Sequence, residues 1–363
     1  MRILFYVMSP EWNGSARATA ALARGLSARG HSVTVVCPAD SPLEQRLERG
    51  AYEVLELRGA GSVASGAGHL RRALQERFVQ VICVHSDRAQ VVAATAARLA
   101  GRAAILRRVA AGEKLTPSSG ARVALRFATT GFVFASEHDA RSAPPLPLAR
   151  LVPAVAPLGV REAMYDSVRP ASRSVLGTGA GTRVLVCIHD GKERSRAGNV
   201  LRVMALLAER HPELRLVFLG PGSADADLKV HAAALRISRS VSFMGERDDY
   251  LSILALAELG WVVSGGDDGA YALLDFMGSR VPVIAERGTL AERYVPDGIT
   301  GIVLSPGDAH DTAAAVARLL AHDDERVAMG AAANARVARE FSEEAMIDSF
   351  ERAAVAASDR SVW

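Results

Sequence analysis

The chain has 363 residues, 49% of them apolar, three cysteines and a net charge of only +3. That is enough apolar material for two domain cores, and each cysteine (Cys37, Cys83 and Cys187) sits inside an apolar run where a reduced thiol acts as a small hydrophobe, which argues against a disulfide framework. No apolar run approaches the roughly 18 residues needed to cross a bilayer, and the opening RILFYVM reads as a strand and not as a secretory leader, so a cytoplasmic globular protein is expected.

The opening residues 1–38 read as strand, loop, amphipathic helix and strand, with Gly30 ending the helix before His31. The loop carries Asn13, Gly14 and Ser15, whose amides are placed to approach an anion or a sugar hydroxyl. It has one glycine, so the dinucleotide fingerprint G-x-G-x-x-G is absent. YEVLEL, GHLRRALQERF, VQVICVH, DRAQVVAATAARLAG and AAILRRV continue the alternation of strand and helix. His85 and Asp87 fall at the carboxyl end of VICVH, the ligand side of an open parallel sheet, where His85 either contacts a ligand or caps the next helix. Residues 110–120 read as a polar loop, and GFVFASEHDARS as a strand followed by a helix with Ser136 at its N-cap.

From residue 143 the pattern degrades into proline- and glycine-rich turns. The spacing predicts a Rossmann-like first domain over 1–160, a linker over 161–181, a second Rossmann-like domain over 182–341, and a C-terminal helix and tail over 342–363 that can pack back on the first domain. The second series begins with RVLVCIH, followed by Lys192, Arg194 and Arg196 in a row that is either a solvated loop or a phosphate contact. LGPGS places Gly220 and Gly222 at another strand end, as a close approach to a ligand or as a plain turn. The stretch SGGDDGAYALLDFMGSRVPVIA follows the apolar run LGWVVS and reads as an acidic turn, a helix from about Gly269 and a further strand. Asp267 and Asp268, with Gly269 and Ala270, thus meet a helix N-terminus, and Asp275 lies two turns on; the competing reading is a capped helix with a solvated Asp275.

Charge divides unevenly along the chain, with 20 basic and 11 acidic residues in 1–160 against 23 and 29 in the remainder. A basic first half suits an anionic acceptor or an anionic membrane surface, and equally a solvated arginine-rich exterior.

The order of these motifs resembles the retaining, nucleotide-sugar-dependent glycosyltransferases of the GT-B fold, the family usually numbered four. That family carries a strand, an acidic loop and a helix with two glutamates separated by seven residues, followed by a strand with proline and valine. Here Asp267, seven residues, Asp275 and VPVIA stand in that place. HSVTVVCP, VICVHSD, SVSFMGERDDYLSILALAELGWVVS and ERYVPDGITGIVLSPGD match further family segments. The resemblance implies two Rossmann-like domains facing across a cleft, with a nucleotide diphosphate sugar as donor substrate, no cofactor and no metal. Asp267 is then expected beside the donor sugar with His85 as its catalytic companion. Asp275 is expected on the ribose, Lys192 and Arg196 at the diphosphate, and Gly220, Gly222, Asp268, Gly269 and Ala270 around the donor. Asn13, Gly14 and Ser15 form the loop on the acceptor or phosphate side. The acceptor is expected to be a hydroxyl on a glycan, a lipid-linked group or a small molecule. Peripheral contact with the inner face of a membrane through the basic half fits this reading, and a nucleic-acid partner does not.

Departures from the pattern are specific. Both family glutamates are aspartates, and the family's arginine position falls on Gly191, with His189 and Lys192 as neighbours. The family's histidine after its fourth strand is absent from LRRVAAG, which leaves His85 or Arg108 in its place. A GT-B relative serving as a binding or partner subunit is therefore the alternative reading. An epimerase on the same architecture is a third, disfavoured by its missing histidine pattern.

Overall fold

The computed structural model describes residues 1–58, 62–128, 130–145, 153–177, 179 and 181–359. It divides into two units, Met1–Gly159 with Glu343–Trp363, and Val160–Ser342.

The first unit is built on seven parallel strands: β1 (Arg2–Tyr6), β2 (Ser32–Pro38), β3 (Glu53–Leu57), β4 (Val81–Val84), β5 (Ala104–Val109), β6 (Thr130–Phe134) and β7 (Ala154–Val155). They lie in the order β3-β2-β1-β4-β5-β6-β7. Between them run α1 (Gly14–Ala28), α2 (Pro42–Arg46), α3 (Val63–Glu76), α4 (Asp87–Ala100), α5 (Ser119–Phe127) and α6 (Glu137–Ser142). β4 and β5 are buried along their whole length because helices cover both faces of the sheet, which is why they read as continuous apolar runs. Each of the six helices starts where a short polar side chain accepts from a first-turn amide: Asn13, Ser41, Ser62, Ser86, Ser118 and Ser136. Such caps contribute about 1 kcal/mol each and stop the preceding loop at a defined residue.

Six parallel strands form the second unit: β8 (Arg183–His189), β9 (Leu214–Leu219), β10 (Val241–Phe243), β11 (Leu259–Val263), β12 (Val283–Glu286) and β13 (Gly301–Leu304), in the order β10-β9-β8-β11-β12-β13. Its helices are α7 (Ala163–Asp166), α8 (Arg194–Ala208), α9 (Ala226–Ala234), α10 (Tyr250–Leu254), α11 (Gly266–Gly278), α12 (Leu290–Tyr294), α13 (Ala309–Ala321) and α14 (Asp323–Glu340). Leu201, Met204, Phe218, Trp261, Ile284, Val316 and Leu319 belong to its main core cluster.

The last helix, α15 (Glu343–Asp359), counts with the first unit. Phe350 is fully buried and stacks on Phe5 with ring centroids 5.6 Å apart. Ile347 fills the space over Gly25, where a Cβ would lie 2.1 Å from its Cδ1. Arg24 pairs with Glu343, and Arg29 with both Asp348 and Glu351.

In three places the structure differs from the sequence expectation. The segment 161–181, expected as a linker, counts with the second unit and carries α7 and a 3-10 turn, Arg173–Leu176; residues 178 and 180 of it, and 360–363 of the expected tail, lie outside the described residues. Tyr165 reaching inward to Asp275 is the physical reason, since a buried side chain ties the segment to that core. Second, α11 begins at Gly266, three residues before Gly269, so Asp267 and Asp268 are in its first turn and not in the loop before it. Third, α1 ends on Arg29, and Gly30 follows it at φ +85, the left-handed position that glycine adopts without strain.

Candidate functional site

Both sheets reverse their strand order once, between β1 and β4 in the first unit and between β8 and β11 in the second, and ligands of such sheets bind beyond the carboxyl ends of the strands at that point. In the second unit the loops there are bound to one another. The amide of Gly220 donates to the Gly245 carbonyl at 2.9 Å, and that of Gly245 to the buried Ser223 hydroxyl at 2.6 Å. Asp190 accepts from the Lys192 amide at 2.9 Å and, at a long 3.5 Å, from the amide of Gly265, the N-cap of α11. His189 is fully buried with Nδ1 3.1 Å from the Val263 carbonyl and 3.5 Å from the Gly191 amide nitrogen, which links the ends of β8 and β11.

Glycines make this close packing sterically possible. A Cβ on Gly220 would lie 2.6 Å from the His189 carbonyl oxygen, one on Gly222 would lie 2.2 Å from the Gly191 nitrogen, and one on Gly269 would lie 2.4 Å from the Ser264 carbonyl oxygen. The loops after β8 and β9, and the first turn of α11 against the end of β11, thus approach backbone to backbone. The N-termini of α8 and α11, with their partial positive charge and no side-chain cap hydrogen bond from the residue before them, flank the same edge.

The expected donor-side residues separate into two groups here. Lys192 projects into solvent with 78% of its side chain exposed, its Nζ 4.0 Å from Asp190. Asp267 is buried in the first turn of α11, with Asp268 half-buried and Gly269 and Ala270 buried beside it. Arg196, expected at the diphosphate, donates from Nε to the buried Glu286 at 2.8 Å. Asp275, expected on the ribose, is also held by neighbours. It is 2% exposed, its Oδ1 accepts from the Tyr165 hydroxyl at 2.7 Å and its Oδ2 from the Tyr250 hydroxyl at 2.7 Å. Each oxygen of this carboxylate thus already accepts one phenolic hydrogen bond in the interior.

In the first unit, the residues singled out by sequence also gather at the switch point. Asn13 uses its side chain to cap α1, accepting from the Ala16 amide at 3.0 Å, and Gly14 and Ser15 form the first turn. The Thr19 hydroxyl donates to the Ser15 carbonyl at 2.8 Å, so it accepts from His85 Nε2 at 3.0 Å, which places that ring proton on Nε2. His85 therefore joins the end of β4 to α1. Arg108 is buried at 2% exposure within β5, and the neighbouring Arg107 is held by Asp87 and by Glu113.

Sequence reasoning missed five residues that organise these sites: Thr19, Tyr165, Asp190, Tyr250 and Glu286. Glu286 carried a signal, an acid closing the apolar run VPVIA at a strand end. Tyr165 lay in the degraded pattern assigned to the linker, and nothing local marks it.

Two doubly wound parallel units of this kind are the components of the GT-B fold. A glycosyltransferase from Rickettsia africae superposes with a TM-score of 0.80 at 15% identity over 98% of each chain. HepE from Anabaena, solved in complex with UDP-glucose, superposes with a TM-score of 0.78 at 20% identity over 97% of this chain and 98% of that one. In sequence, the model for glycosyl transferases group 1 matches residues 168–336 and that for glycosyltransferase family 4 matches residues 12–109. The chain belongs to the group 1 glycosyltransferases of family 4 type. Among curated relatives, the lipopolysaccharide core biosynthesis glycosyltransferase LpsE of Rhizobium meliloti is 25% identical over 49% of this chain and 51% of its own length. The D-inositol 3-phosphate glycosyltransferase of Corynebacterium jeikeium is 28% identical over 48% of this chain and 44% of its own. The chain thus spans about half the length of the curated relatives it matches.

Proposed function

We propose that the protein moves a glycosyl group from a nucleoside diphosphate sugar to a hydroxyl acceptor, with retention at the anomeric carbon, in the synthesis of a glycan, a cell-envelope component or a glycolipid. The observation that carries this reading is the edge of the second sheet between β8 and β11, where two helix N-termini, Lys192 and the acidic first turn of α11 converge on glycine-lined loops. In the reaction the bond from the anomeric carbon to the diphosphate breaks with its electron pair going to the diphosphate. The acceptor oxygen bonds to that carbon on the same face, and its proton passes to a phosphate oxygen. Charge growing on the leaving diphosphate is met by the amides of α8 and α11 and by Lys192, which are in place before it develops. Asp267 stands at the donor sugar. The HepE structures with UDP and UDP-glucose support a uridine donor as the first to test. That the relatives are transferases weighs against a binding-subunit role.

The acceptor side rests on the first unit, where His85, Asn13, Gly14 and Ser15 line the switch point. No helix among the described residues is long and apolar enough to cross a membrane, and contact with an anionic membrane surface through the basic first unit belongs to this proposal. Incubation with uridine, guanosine and adenosine diphosphate sugars, scored by nucleoside diphosphate release and by the anomeric configuration of the product, tests it. Turnover of one donor is expected, with Lys192→Ala lowering kcat/KM at least tenfold, about 1.4 kcal/mol. Absence of binding and turnover for every donor defeats the reading.

A further inference from the structure

The amino ends of the strands of the first sheet, opposite its ligand edge, carry a cluster that the transfer reaction leaves unused. Helices α1, α3 and α4 end there, and two of them turn back to the sheet through a left-handed glycine, Gly30 and Gly101. After α3 the corresponding place is held by Phe78 at φ +50, a conformation that strains a bulky side chain and that glycine adopts freely. Burial does not offset that strain, because Phe78 is 55% exposed. The stability of the turn therefore does not account for the residue.

Arg2 and Arg102 lie over the Phe78 ring, their guanidinium carbons 5.4 and 5.0 Å from its centroid. The three meet at one edge because the Gln80 amide donates to the Arg2 carbonyl and the Ala104 amide to the Gln80 carbonyl, both at 2.9 Å. Arg98 and the 54% exposed Leu99 stand in the last turn of α4, just before Arg102. Among the described residues none of Arg2, Arg98 and Arg102 pairs with an acid, and Glu53 and Glu76 are already bound by Arg77. Beside the ring lies a recess of about 560 Å³ whose lining, Met1, Arg2, Gly30, Ser32, Phe78 and Gln80, contains no acid. Exposed apolar side chains set among uncompensated arginines match the headgroup layer of an anionic bilayer, where the ring meets the acyl boundary and each guanidinium fork meets phosphate oxygens.

We propose that this end of the first unit docks on an anionic phospholipid surface, with Phe78 and Leu99 entering the headgroup layer and Arg2, Arg98 and Arg102 on lipid phosphates. Docking in this way turns the ligand edge of the first sheet away from the bilayer. The proposal rests on the membrane contact included in the reading above and is independent of the transfer step. Sedimentation of the full chain with vesicles of phosphatidylcholine alone, and of phosphatidylcholine mixed with phosphatidylglycerol, tests it. Binding to the mixed vesicles only is expected, weakened about fivefold by each of Arg2→Gln, Arg98→Gln and Arg102→Gln. Phe78→Gly is expected to weaken it by about fivefold or more while melting at or above the temperature of the unaltered chain, because glycine relieves the turn, an outcome that a merely structural role for the ring does not give. Arg88→Gln, at the other end of α4, controls for charge alone and is expected to leave binding within about twofold. Binding that survives Phe78→Gly overturns the proposal, as does binding that Arg88→Gln weakens as much as Arg98→Gln, since the contact then lies elsewhere or in diffuse charge. Binding to polyglutamate that depends on these residues, with none to vesicles, overturns it in favour of an acidic protein partner. Absence of binding to the mixed vesicles overturns it together with the membrane contact, whereas nucleoside diphosphate release from the donor sugars, measured without vesicles, reports on the transfer reading alone.

Discussion

At Gly222 a Cβ would come within 2.2 Å of the Gly191 nitrogen and 2.5 Å of His189 Cδ2, and neither a backbone atom nor a fully buried ring gives way cheaply. Gly222→Ala is expected to cost about 1–3 kcal/mol and to weaken diphosphate binding, because the loops after β8 and β9 must separate. Urea denaturation beside nucleotide titration measures both effects. The cysteines show the opposite case, residues whose role is packing alone. All three are unpaired and buried; burial pushes the Cys37 thiol up to about 11 and the Cys83 thiol up to about 12, and raises that of Cys187 as well. A thiol-specific chromogenic reagent at pH 8 is therefore expected to label none of them in the folded chain and all three after unfolding. This much was legible from sequence, since each cysteine lies inside a strand pattern. The partner of Asp275 was not legible, because Tyr165 stands 110 residues away and approaches only in the folded core.

Among the elements, α15 shows how a terminal helix is held. Its apolar face is anchored by Phe350 on Phe5 and by Ile347 over Gly25, and its polar face by Arg24, Arg29 and His31. Truncating Phe350→Ala removes a fully buried ring and is expected to cost about 3–5 kcal/mol of first-unit stability, read by calorimetry. The hydrogen bond from His31, followed by that from Arg29, holds the Glu351 carboxyl below the usual glutamate range. A carboxyl depressed in the folded state stabilises at neutral pH, and that contribution fades as pH falls below the unfolded value of about 4.5. Glu351 is half-buried at the surface and its ion pairs are screened by solvent, so the effect is about 1 kcal/mol or less. Melting temperatures between pH 6 and 3.5 are expected to fall less steeply for Glu351→Gln than for the unaltered chain. The start of α6 was marked in the sequence by Ser136, because a cap acts through neighbouring residues. For α11 the mark misled: Gly265 caps it without a side chain, and so the helix begins earlier than its apolar pattern.

For the whole molecule, ligand linkage supplies the simplest measurement. A nucleoside diphosphate that binds only the folded chain stabilises it by about 2.7 kcal/mol at a hundred times Kd, and a correspondingly higher melting temperature is expected for the accepted nucleotide and not for the others. The uneven charge also acts at this scale. A basic first unit is expected to bind anionic vesicles more than neutral ones, with the difference disappearing at high salt as the Debye length shortens.

By itself the sequence determined the alternation of strands and helices in two series, the cap that opens α6 at Ser136, and the strand ends at which polar residues collect. These are written in periods of two to four residues and in single capping side chains, so they survive without knowledge of the rest of the chain. The tertiary structure alone decided which strands lie side by side, where each order reverses, and what each charged group at the edge is paired with. Arg196 finds Glu286 across 90 residues, and Asp275 finds Tyr250 and Tyr165 across 25 and 110. Such pairings depend on the packing of whole helices against a sheet, and no local pattern encodes them.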